Sequence, residues 1–115
     1  MMDGRSCAYA QRRMSFRMFN AVDVLSALAE PTRLAAMQLL WDGQEHCVCE
    51  LMSRLGASQS RMSRHMATLK TAGLVVDRRD AQWVRYRRSP NLPANVVSLI
   101  DAALSLPAVA QRIAA

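Results

Sequence analysis

The chain has 115 residues, about half of them hydrophobic, and a net charge of +6. That length fits one domain, the apolar content excludes a disordered chain, and no apolar run approaches the roughly 20 residues of a membrane helix. The first 20 residues carry arginines but no apolar segment, which argues against a secretory signal and for a cytoplasmic protein.

Residues 1–15 read as a flexible arm, 16–106 as the folded domain and 107–115 as a tail. From Phe19, the spacing Phe19, Val22, Leu25, Leu28 predicts a first helix with those residues as its stripe. Pro31 suits the first turn of a second helix, with Leu34, Met37, Leu40 and Trp41 inward and Gly43 at its end. A short third helix is predicted over Val48–Leu55, with Leu51, Met52 and Leu55 inward and Gly56 as its stop. Ser58 is an N-cap for a fourth helix reaching Ala72, with Gly73 as its stop. Two helices joined through Leu55-Gly56-Ala57-Ser58 have helix-turn-helix spacing.

After Gly73 the period becomes two. Leu74–Arg78 and Gln82–Arg88 read as strands joined by Arg79-Asp80-Ala81, a hairpin with Val84 and Tyr86 on its inner face. Ala94–Leu106 is a last helix with Val97, Ile100 and Leu104 on one side. The fold class is therefore mainly α with a small β-hairpin, a dimeric winged helix-turn-helix. A chain this short leaves apolar stripes on its first and last helices that a second copy would cover.

The charge sits in one place. Residues 54–88 hold nine basic side chains against Asp77 and Asp80, while residues 20–53 carry a net −4. Fourteen of the fifteen basic residues are arginine, whose planar fork matches phosphate and guanine edges. Such a field suits a polyanion. On the fourth helix Met62, Met66 and Leu69 fall within about 40° of one another. Ser60, Arg64, Thr68 and Thr71 lie opposite, flanked by Arg61 and Ser63. Short hydroxyls and arginines on one face suit a helix seated in the major groove. A sequence-independent DNA-binding protein is a distant alternative.

Ala29-Glu30-Pro31-Thr32-Arg33, Cys47-Val48-Cys49-Glu50-Leu51, Ser58-Gln59-Ser60 with Ser63-Arg64-His65, and Ala72-Gly73-Leu74-Val75 stand in that order. Together they resemble the ArsR/SmtB family of metal-responsive repressors, over roughly residues 20–105. The resemblance implies a homodimer built on the first and last helices. It implies that Gln59, Ser60, Ser63 and Arg64, with Arg61 beside them, face DNA bases in a palindromic operator. It further implies that the wing meets DNA through Arg78, Arg79 and Arg85, and that an inducer releases the DNA.

Cys47-Val48-Cys49-Glu50-Leu51 also resembles the family's metal box, with one departure: the third cysteine of the arsenic-type box is Met52 here. Cys7, in the N-terminal arm, is the candidate third ligand. Two cysteines one residue apart point about 200° apart on a helix and share a face when extended. Ligation by both is thus expected to unwind or twist the start of the third helix. Soft thiolates select soft ions, so the expected inducer is arsenite or antimonite, with cadmium or lead as the other choice and no permanent cofactor. Buried structural cysteines and a thiol-redox or reactive-sulfur switch are the competing readings of the pair. His46 is a weaker ligand candidate. The family's second metal site needs acidic residues and histidine on the last helix, which offers Asp101 and no histidine. A thiol oxidoreductase would need a βαβ frame around the cysteines, which the pattern lacks, so an enzyme is not expected.

Overall fold

Asn20 opens the first helix by accepting a hydrogen bond from the Asp23 amide at 2.9 Å. The computed structural model describes residues 19–107. The 1–15 arm with Cys7, and nearly all of the 107–115 tail, lie outside them. Helix α1 covers Ala21–Leu28 and α2 Pro31–Leu40, capped by Glu30 with Pro31 at its start. Strand β1, His46–Cys47, runs directly into α3, Val48–Leu55. Helix α4 spans Gln59–Thr71, strands β2 and β3 span Val75–Asp80 and Trp83–Arg88, and α5 spans Ala94–Leu104.

Helices α3 and α4 and the turn between them follow from their caps. Gly56 closes α3 at φ 67°, in the left-handed region that glycine enters without steric cost. Its amide and that of Ala57 both bond to the Met52 carbonyl. Ser58 Oγ then accepts from the Arg61 amide at 3.3 Å and starts α4, a cap worth about 0.5–2 kcal/mol. Met62, Met66 and Leu69 on α4 are fully buried, each contributing about 1.5–3 kcal/mol of burial. They pack with Met37, Leu40, Leu51 and Leu74 in one core that contains no buried charge among the described residues.

The sheet has three antiparallel strands in the order β1-β3-β2. Strand β1 is not visible in the period-two pattern because it is two residues long. The hairpin turn is shorter and later than expected: β2 continues to Asp80, which pairs with Trp83, leaving Ala81-Gln82 as the loop. Ala81 takes φ 57° there, unusual for a residue with a Cβ. As expected, Tyr86 is buried and Val84 half-buried. At the far end, the Trp41 indole donates to the Asp101 carboxylate of α5, and the Arg88 guanidinium lies 4.2 Å over the Trp41 ring.

Two helical stripes differ from expectation. On α1 the buried residues are Val24, Ala27 and Leu28, and Val22 is 72% and Leu25 49% exposed. On α5 Val96 and Ile100 are buried and Leu99 is exposed. Asn20 starts α1 two residues after Phe19, and Val24 and Leu28, four apart, form its inward face. The five helices and the basic hairpin together make a winged helix-turn-helix. No helix of the described residues is long and apolar enough to cross a membrane.

Candidate DNA interface and cysteine pair

Helix α4 presents Gln59, Ser60, Arg61, Ser63, Arg64 and Thr68 outward, opposite its buried Met62, Met66 and Leu69. Thr68 is turned back on the helix, its hydroxyl donating to the Arg64 carbonyl at 3.2 Å. Arg61 and Arg64 are exposed and, among the described residues, no carboxylate forms an ion pair with either. This face is therefore an array of cations and short polar groups with unspent hydrogen-bonding capacity.

The wing divides its arginines between two faces. Cross-strand partners share a face, so Arg78, Arg85 and Trp83 stand on one side with Asp80, and Arg79 stands on the other with Asp77, Val84 and Tyr86. The three arginines expected to meet DNA thus do not form one cluster. Arg85 donates to Asp80 at 2.7 Å, which holds that carboxyl below its usual range. Arg78 donates through Nε and Nη2 to both oxygens of Glu45, each at 2.7 Å. That pairing lowers the Glu45 pKa, with Arg85 and Arg87 adding to the pull. Lys70 of α4 is bonded to Asp77 at 3.0 Å. Arg79 has no such acid partner among the described residues.

Sequence reasoning did not find Glu45 or Asp80 as site residues. Both lie in the right segments, but their pairing depends on strand register, which sequence spacing alone leaves open.

Cys47 ends β1 and caps α3, its sulfur accepting from the Cys49 amide at 3.3 Å. Cys47 and Cys49 are joined as a disulfide with their Cα atoms 5.2 Å apart. Because Cys47 is extended and outside the helix, the sulfurs meet while Val48–Leu55 remains helical. The expected unwinding of α3 is thus not needed to bring them together. Cys49 is exposed and Cys47 half-buried, so the pair is reachable from solvent and is not a structural plug. A thiol in the first turn of a helix is favoured as the thiolate by the helix dipole.

Two thiolates on one ion with bonds of about 2.3 Å stand about 3.3–3.8 Å apart, a small separation from this starting point. Among the described residues no group of three His, Cys, Asp or Glu side chains is placed to hold a metal ion. Met52, in the position of the missing third cysteine, is partly buried against the core. The thiol pair therefore fits a two-thiolate ligand, and Cys7 lies outside the described residues.

His46 is otherwise engaged. Its Nδ1 lies 2.9 Å from Glu50 and its Nε2 3.1 Å from Asp42. Partial burial opposes its charging, and the two carboxylates outweigh that, so its pKa is raised. With a carboxylate on each ring nitrogen, His46 acts as a clamp between the end of α2 and the start of α3.

Comparison with known proteins completes the picture. The family model described as "Bacterial regulatory protein, arsR family" matches residues 30–76. The chain is 42% identical over 90 residues to the arsenical resistance operon repressor of Escherichia coli K12, covering 78% of this chain and 75% of that protein. It is 42% identical over 87 residues to the arsenic resistance transcriptional regulator ArsR2 of Pseudomonas putida KT2440, covering 76% of each. The solved structure of HlyU from Vibrio cholerae N16961 superposes with a TM-score of 0.63 at 36% identity, over 83% of this chain and 94% of that one.

Proposed function

Since this chain belongs to the ArsR family of bacterial transcriptional regulators, we propose that it is a repressor released from DNA when Cys47 and Cys49 capture a thiophilic ion. The observation that carries this reading is the pair of adjacent sulfurs at the solvent-exposed start of α3, next to the DNA-reading helix. The names of the Escherichia coli and Pseudomonas relatives support arsenite or antimonite over cadmium or lead as the inducer. Each reduced thiol gives its proton to a departing hydroxide of arsenous acid, so two As–S bonds form and two waters leave. Cys7 is an auxiliary third thiolate. Gln59, Ser60, Arg61, Ser63 and Arg64 read the major groove, and Arg79 binds phosphate. Arg78 and Arg85 join it by exchanging their carboxylate partners for phosphate. The functional unit is a homodimer on a palindromic operator, packed through Val22 and Leu25 of α1 and Leu99 of α5, whose exposure a second copy would remove.

The test is anisotropy of the reduced protein on the promoter region of its own gene, titrated with arsenite. Cys47→Ser and Cys49→Ser should bind DNA normally and lose release. Cys7→Ser should need more arsenite for the same effect. Release of the Cys47→Ser/Cys49→Ser double variant would place the sensor elsewhere.

The disulfide supports a second reading, in which peroxide takes two electrons and two protons from the thiols to close the Cys47–Cys49 bond. Release by peroxide and not by arsenite would select it.

A further inference from the structure

Cys47, Arg85 and Arg78 form a single row across the sheet: Cys47 is the partner of Arg85, and Arg85 is the partner of Arg78. Strand β3 lies between β1 and β2, so no ladder hydrogen bond joins the cysteine strand to the outer strand of the wing. Glu45 bridges that gap. It stands two residues before Cys47 and grips Arg78 with both oxygens at 2.7 Å. A two-pronged carboxylate–guanidinium contact fixes direction as well as distance. It also occupies the donors Arg78 would offer a phosphate. Cys47 is at once the sulfur partner of Cys49, the cap of α3 and the partner of Arg85. A change in what the sulfurs bind therefore acts on the backbone that carries Glu45.

We propose that Glu45 is a positioning residue that competes with DNA phosphate for Arg78, and that the cysteine pair decides the competition. With the sulfurs joined, as in this structure, Glu45 holds Arg78 away from the polyanion. With the thiols separate and free, Arg78 is ceded to a phosphate. The ion pair is exposed, where such pairs add little to stability, so its purpose lies in directing a cation.

This inference rests on the cysteine-sensing repressor reading, and the two fail differently. Operator binding is measured from about 50 to 300 mM KCl, with and without arsenite, for the wild type, Glu45→Gln, Glu45→Asp and Arg78→Gln. One phosphate contact contributes about 0.9 to the slope of log affinity against log salt. Arsenite should lower the wild-type affinity tens-fold and its slope by about 0.9. Glu45→Gln should lose under about a third of the wild-type fold change and keep its slope. Glu45→Asp should restore the wild-type pattern. Arg78→Gln, which lacks the contact, should show the lower slope in both states. A Glu45→Gln protein with the full slope change would overturn the proposal and leave the repressor reading standing. A wild type that neither arsenite nor peroxide releases would overturn both.

Discussion

The Arg33 guanidinium lies 3.3 Å from His65 Nδ1 and also donates to the carbonyls of Ala27 and Ser26 at 2.7 and 3.1 Å. One side chain of α2 thus satisfies carbonyls at the end of α1 and touches the DNA-reading helix. Arg33→Ala should destabilise the fold by about 1–3 kcal/mol, since it removes charged hydrogen bonds and leaves carbonyls without a donor. Arg33→Lys should recover only part of that, because an ammonium cannot reproduce the fork. Urea denaturation measures both.

Arg64→Ala should weaken operator binding by about 1–3 kcal/mol and random DNA much less, if Arg64 reads a base. Arg79→Ala should weaken both alike and lower the salt slope by about one. Equal losses on the two DNAs for Arg64→Ala would remove its base-reading role. The contrast is clean because neither arginine has an acid partner to release among the described residues.

Val22→Lys with Leu25→Lys should convert the dimer to a monomer in sedimentation at micromolar protein and leave the helical content unchanged. Both side chains are exposed within one subunit, at 72% and 49%, so the substitution opens no cavity. A dimer that persists would locate the interface elsewhere.

Acid should loosen the wing tip through Asp80. Arg85 holds the Asp80 carboxyl below its usual value of 3.8. A depressed folded value means the contact contributes fully above 3.8 and is lost as pH falls through the lower folded value. The Arg85 Nε–H resonance should therefore move along that acid limb, and in Asp80→Asn it should not.

The helices were legible where a cap and a period agreed. Ser58, Gly56 and the Met62–Met66–Leu69 stripe place α3, α4 and the turn between them within a residue. On α1 the period alone misled: Phe19, Val22, Leu25 and Leu28 share a spacing, but Val24 and Leu28 go inward and Val22 goes out. An outward apolar residue that awaits a second subunit looks the same in sequence as one that fills the core. The arginines were legible as a charge and not as individuals, because Arg78, Arg79 and Arg85 differ in which acid the register sets beside them. Strand β1 was hidden by its length, and with it the link from Cys47 to the wing.

The seat of the recognition helix is built largely from two methionines, Met62 and Met66, both fully buried. Thioethers on unbranched, flexible chains fill irregular space and re-pack easily, so α4 rests on a compliant cushion that lets it tilt without tearing the core. The same sulfurs are oxidisable, but solvent reaches Cys49 in the folded state and does not reach them. An oxidant therefore meets the cysteines first, and sulfoxide damage to Met62 or Met66 must wait for local unfolding.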